Sequence, residues 1–169
     1  MLTDHLHAVC YNEYMNDEKI INGVIHHPGD RRRSDFLFRV SLKAVIFNKD
    51  GYVLVVKEIG RNWWDLPGGG IDHGESVREA LARELYEEVS LTGEFEYEAI
   101  LTEDPRYLEA HNLYQMRITF LIKPKLLSFE PGEDGEEVLF VNPLDFKDSM
   151  IIKERKIYEY SQLAAERLK

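Results

Sequence analysis

The chain has 169 residues, 44% apolar and 31% charged, with a net charge of −10, which suits one domain with a sizeable core. Such an acid excess excludes broad contact with nucleic-acid backbones or anionic membrane surfaces, while a small phosphorylated ligand stays open because a metal can supply positive charge locally. The single cysteine, Cys10, excludes an internal disulfide and a Cys-x-x-Cys zinc pair; with no signal-type apolar block, the expectation is a soluble, cytoplasmic protein.

Residues 1–35 mix short apolar pieces with turn signals at Asn22-Gly23 and Pro28-Gly29-Asp30, and read as an N-terminal extension of uncertain structure. His26 and His27 read as loop residues rather than metal ligands. Arg31, Arg32 and Arg33 read as a solvated basic loop, with Arg31 and Arg33 kept as candidates to reach substrate phosphates. From Phe36 two β-rich runs flank Asn48-Lys49-Asp50-Gly51, a hairpin signal. A loop at Gly60-Arg61-Asn62 leads into Trp63-Trp64-Asp65-Leu66-Pro67. Trp63 is a candidate for stacking a base, although aromatics beside a Pro-Gly turn more often brace the loop.

The stretch Gly69 to Leu91 carries the chemistry. Ser76 and Glu79 form a capping box, so the spacing predicts a helix from near Val77. At about 100° per residue, Val77, Leu81, Leu85 and Val89 make one apolar stripe, with Glu84, Glu87 and Glu88 along its edge. Like charges at those spacings repel by roughly 0.2–0.5 kcal/mol per pair. No lysine lies between 69 and 91, and the helix follows a glycine run where backbone can approach a ligand closely. A hard divalent cation would cancel the repulsion.

After the helix, Phe95 to Leu101 alternates as a half-buried strand, and Leu113 to Lys123 reads as a second strong strand. An acidic turn spans 129–137, Val138 to Val141 make a short strand, and Ile151 to Leu168 read as the closing helix. Its apolar positions are 152, 160, 163, 164 and 168. Strands on both sides of a central helix, with another helix at the end, predict an α+β or α/β/α domain in layers around a mixed β-sheet.

These residues resemble the Nudix hydrolases, whose signature is Gly, five residues, Glu, seven residues, then Arg-Glu-apolar-x-Glu-Glu-x-Gly-apolar. Here it runs Gly69, Glu75, Arg83, Glu84, Leu85, Glu87, Glu88, Ser90, Leu91. One defined position departs: Ser90 stands where the family has glycine, which puts the helix end in doubt, and Gly93 is available to end a longer helix. The resemblance implies the family's α/β/α sandwich around a mixed β-sheet, placed here at residues 36–169. It also implies magnesium- or manganese-dependent hydrolysis of a pyrophosphate bond in a nucleoside diphosphate linked to another moiety. Nucleotide sugars, ADP-ribose-like compounds, dinucleoside polyphosphates and nucleoside triphosphates all stay open as substrates.

Carried over from the family, Glu84, Glu87 and Glu88 are the metal ligands and a carbonyl of Gly68 or Gly69 completes the shell. Arg83 orients the carboxylates, and Glu75 holds Arg83 or a metal-bound water. The general base is a motif glutamate or an acid of a later loop, where Glu133, Asp134, Glu136 and Glu137 are candidates against a reading as solvated turn acids. Tyr107 falls where some family branches keep a specificity residue. The expected partner is a small phosphorylated nucleotide, with no nucleic acid polymer and no membrane, and a homodimer left open. The competing reading is a Nudix-fold sensor that binds such a ligand without turnover; a third, an isomerase, would need a thiol or acid better placed than Cys10.

Overall fold

Asn22 and Gly23 both take positive φ, 52° and 73°, the pair of left-handed residues that closes a two-residue hairpin. In the computed structural model, which describes residues 19–27 and 34–169, they join β1 (Lys19–Ile21) to β2 (Val24–His26). On the other side of β2 lies β3 (Ser34–Phe36), antiparallel, with Val24 opposite Phe36. These strands group with Pro105–Met116 as one compact unit, while Val40–Asp104 and Arg117–Lys169 form the other. In the small unit His27 Nε2 meets Asp35 Oδ2 at 2.9 Å. Arg31, Arg32, Arg33 and Cys10 lie outside the described residues.

The larger unit takes β4 (Phe38–Val45) from Val40 onward, then β5 (Val53–Glu58), α1 (Val77–Val89) and β6 (Phe95–Thr102). A short strand, β7 (Arg106–Leu108), belongs to the small unit, as does the start of β8 (Leu113–Pro124). The chain closes with β9 (Gly135–Val141), a 3-10 turn at Pro143–Phe146 and α2 (Ile152–Glu166). The strand order is β4-β8-β6 in one sheet and β5-β9 in another.

Period-two alternation sets the layers. Ala44, Leu54, Val56, Phe120 and Ile122 are buried with Leu81, Leu85 and Val89 of α1. Their strand neighbours Val45, Val53, Val55 and Leu121 are buried with Ile157, Tyr160 and Ala164 of α2. Each fully buried Leu, Ile or Val stabilises by about 1.5–3 kcal/mol, so the strands are held from both faces and the result is α/β/α.

Four local expectations are corrected. The hairpin turn forms, with Asn48 N–H donating to Tyr52 O at 2.9 Å, but past the Phe47–Val53 bridge β5 leaves β4 and pairs along its length with β9. That pairing draws the chain into strand from Gly135, so Glu136 and Glu137 belong to β9 and not to a turn. In α2 the buried residues are Ile157, Tyr160, Ser161 and Ala164, an i, i+3, i+4, i+7 set; Ile152, Leu163 and Leu168 are off that face and 64%, 37% and 51% exposed. Finally, α1 stops at Val89 and does not run on to Gly93: Ser90 itself adopts the left-handed conformation, φ 52° and ψ 28°. Its N–H donates to Tyr86 O, that of Leu91 donates to Leu85 O, both at 3.0 Å, and the N–H groups of Glu130, Gly132 and Asp134 take the carbonyls of Val89, Glu88 and Glu87.

Candidate metal and phosphate site

The capping box predicted at the start of α1 is formed: Glu79 N–H donates to Ser76 Oγ at 3.3 Å and Ser76 N–H to Glu79 Oε2 at 2.8 Å. It fixes the phase of the helix, and the phase turns Arg83, Glu84, Glu87 and Glu88 toward the Leu66–Gly70 segment. That segment is itself fastened to β4, since Leu42 N–H donates to Gly69 O at 2.7 Å and Ala44 N–H to Pro67 O at 2.9 Å. Gly68 sits at φ +121°, with no room for a Cβ beside the Leu42 carbonyl.

Arg83 organises the acids. A guanidinium has five N–H donors, and here all find acceptors. Nε and Nη2 grip both oxygens of Glu75 at 2.7 and 2.9 Å, Nη2 also reaches Gly70 O at 2.9 Å, and Nη1 holds Glu84 Oε1 at 2.8 Å and Glu87 Oε2 at 3.1 Å. The bidentate Arg83 contact, helped by the Asp72 N–H, brings the Glu75 carboxyl down to about 2. Glu75 therefore stays an anion and Arg83 a cation at any working pH.

Glu88 is the buried member, 5% exposed, and Gly68 N–H donates to its Oε2 at 2.7 Å. Burial pushes its carboxyl up to about 7, against the pull of Lys43 and the Gly68 N–H, and Glu58 and Glu84 add repulsion. Burial likewise raises Glu84, although Arg83 opposes the shift. Below them Lys43 Nζ donates to Leu66 O at 2.7 Å and lies 3.2 Å from Asp65 Oδ2. Burial alone would lower that ammonium, but Asp65, Glu88 and Glu58 outweigh it and the net direction is up.

These contacts test whether a hard divalent cation suits the residues present. Among the described residues no three His, Cys, Asp or Glu side chains converge closely enough to enclose an ion in this conformation. The donor set is nonetheless all carboxylate and carbonyl oxygen, it carries more negative charge than Arg83 and Lys43 offset, and one acid is buried at a cost that a cation would relieve. The fit is good. Of the two carbonyl candidates, Gly69 O already accepts one hydrogen bond, from Leu42 N–H.

Among the other predicted residues, Glu137 has its carboxylate on Lys57 at 2.9 Å. Asp134 N–H and Gly132 N–H donate to Glu87 O and Glu88 O, so the segment carrying Glu133 and Asp134 is stitched to the helix end through its backbone. Over the Trp63 ring lie the Arg61 guanidinium at 5.3 Å and the Lys153 ammonium at 5.2 Å, so a stacking base would have to displace a cation. Trp64 packs against the α2 cluster. Tyr107 belongs to the small unit, where its OH meets Asn112 Oδ1 at 2.9 Å. Sequence reasoning missed Lys43, Asp65 and Glu58; for Glu58 the alternation Leu54, Val56, Glu58 was the available signal.

The structure thus sets an arginine-clamped row of helix carboxylates against a glycine segment in an α/β/α domain. The chain belongs to the NUDIX domain family, whose model matches residues 37–160. It is 49% identical over 57 residues to an RNA pyrophosphohydrolase of Shewanella frigidimarina (strain NCIMB 400), a match covering 34% of this chain and 33% of that protein. Thus the match spans about a third of the relative's length. Among solved structures it is similar to a MutT protein from Methanosarcina mazei Go1, with TM-score 0.57 and 22% identity over 79% of this chain and 97% of that one. It is also similar to the NUDIX domain of Shewanella oneidensis NrtR, crystallised with ADP ribose, with TM-score 0.61 and 18% identity over 94% and 98%. At these identities the structural likeness is one of fold, α+β on a mixed sheet. Among the described residues no helix is long and apolar enough to cross a membrane.

Proposed function

We propose that the protein is a Nudix pyrophosphohydrolase that uses magnesium or manganese to hydrolyse a pyrophosphate bond in a small nucleotide derivative. The observation that carries this is the Arg83 network, which aims Glu84 and Glu87 beside a buried Glu88 at the Gly68 turn. A sensor has no need to hold so many acids in register.

In this reading Glu84, Glu87 and Glu88, with a carbonyl of Gly68 or Gly69, hold the cation, which supplies positive charge to the phosphate oxygens and makes water more acidic. Arg83 orients the Glu84 and Glu87 carboxylates, both held on its Nη1, and Glu75 keeps Arg83 in place. Glu88, with its elevated proton affinity, is the motif acid best suited to hold a proton near neutral pH in the absence of a cation. Lys43 anchors the turn from beneath. The net charge of −10 favours a small substrate over a polymer.

The test is a panel of nucleotide sugars, ADP-ribose, dinucleoside polyphosphates, nucleoside triphosphates and 5′-triphosphorylated RNA, incubated with magnesium and followed by phosphorus NMR. Cleavage of a small member is expected, and Glu87→Gln should slow it by about 100-fold or more without altering the fold. No cleavage of any member would replace this reading by that of a binding module.

A further inference from the structure

Leu66 lies where the chain leading to the glycine turn changes partners. One residue earlier, Asp65 pairs with β5, exchanging both backbone hydrogen bonds with Val56 at 2.9 Å. One residue later, Pro67 O takes the N–H of Ala44 in β4, and Gly69 O that of Leu42. At the crossing Leu66 has no backbone partner among the described residues. It is nevertheless 1% exposed, and a buried N–H or C=O left unpaired is costly.

Two side chains supply the partners. Asp65 Oδ1 accepts the Leu66 N–H at 2.8 Å, and Lys43 Nζ donates to Leu66 O at 2.7 Å. The same two groups meet each other at 3.2 Å through Asp65 Oδ2, with only 6% and 12% of the lysine and aspartate side chains exposed. Lys153 of α2 approaches that oxygen from the other side at 3.5 Å. Taking two ions out of water is expensive, and well-packed apolar residues in their place are often as stable or more so. Stability alone therefore does not account for the pair. What Leu66 fixes lies two residues on: Pro67 has a locked φ and no N–H, so the placing of Leu66 carries through to Gly68, whose N–H reaches Glu88 Oε2 at 2.7 Å.

We propose that Asp65 is a positioning residue of the ion site: joined to Lys43, it clamps both backbone groups of Leu66 and so sets where the Gly68 turn meets Glu88. It rests on the cation-dependent reading above, and it adds a residue from outside the signature. Asp65 acts through the turn and not on the ion.

Manganese binding by the full chain, read as free Mn2+ by electron paramagnetic resonance at a temperature where circular dichroism shows each variant folded, tests it without reference to turnover. Asp65→Asn keeps an oxygen for the Leu66 N–H but takes the carboxylate from Lys43, and should weaken binding by about 10–100-fold. The double variant, Lys43→Met with Asp65→Leu, leaves the net charge unchanged and no ion buried alone; it should weaken binding as well, and it serves if Asp65→Asn does not fold. Glu103→Gln, which breaks the Lys156–Glu103 pair elsewhere on α2, should bind as the unaltered chain does, whatever its thermal midpoint. Folded Asp65 variants that melt early yet bind Mn2+ like the unaltered chain overturn the role of Asp65 and leave the ion site standing. Weakening in Asp65→Asn that is matched by Glu103→Gln, or absent from the double variant, also overturns it, as a charge effect. Failure of the unaltered chain to bind Mn2+ overturns the cation-dependent reading, and this role with it.

Discussion

Replacing Gly69 by alanine separates catalysis from stability at this site. Gly69 does not have a positive φ, so its backbone accepts alanine, but the new Cβ would stand 2.5 Å from Glu84 Oε1 and 2.6 Å from Glu84 Cδ. Carbon atoms pack at about 3.5–4.0 Å, so the carboxylate must retreat by roughly 1 Å. The displaced group is the end of a flexible side chain, and the fold should lose less than about 1 kcal/mol. A misplacement of about 1 Å in a catalytic group can reduce turnover about 100-fold, or ~2.7 kcal/mol in the barrier. Gly132→Ala is the contrasting case. There the Cβ would lie 2.6 Å from the Glu87 carbonyl carbon and 2.8 Å from Tyr86 O, both helix backbone, and the expected loss is about 1–3 kcal/mol of stability. Measuring kcat at saturating magnesium beside the thermal midpoint decides the matter. If Gly69→Ala turns over like the unaltered chain, or melts as early as Gly132→Ala, the placement of Glu84 against Gly69 is wrong.

Two further outcomes are expected. Ser90→Gly should stabilise the fold by about 0.5–1 kcal/mol, because Ser90 holds φ 52° where glycine has no Cβ penalty; at this chain length that is roughly 2–4 °C in Tm per kcal/mol, and a lower Tm would contradict it. Glu88 sets a pH dependence in chelated, metal-free protein. Its folded pKa, about 7, lies above its ordinary 4.5, so its contribution is fully present below about pH 4.5 and is lost as pH rises through about 7. Chemical denaturation in chelator should therefore show stability falling across that window, with Glu88→Gln flattening the fall; parallel curves for the two proteins would rule the buried acid out as its source.

What the sequence determined by itself was everything written in near neighbours. The capping box at Ser76 and Glu79, the Asn22-Gly23 turn, the glycine run and the Arg83, Glu84, Glu87, Glu88 spacing depend on contacts within a few residues, and each was legible as such. The stripe of Leu81, Leu85 and Val89 likewise told which side of α1 faces the core. Only the tertiary structure decided that β5 pairs with β9, some 80 residues on, and so drew Glu136 and Glu137 into a strand. Only it decided that Ser90 itself would bear the left-handed φ and end α1 at Val89, with the carbonyls of Glu87 and Glu88 taken by the distant segment around Gly132. The burial of Glu88 and the arrival of Lys43, Asp65 and Glu58 beneath the site belong to the same class. A residue's burial and its charged neighbours are set by which strands are brought alongside it, and no local pattern encodes that.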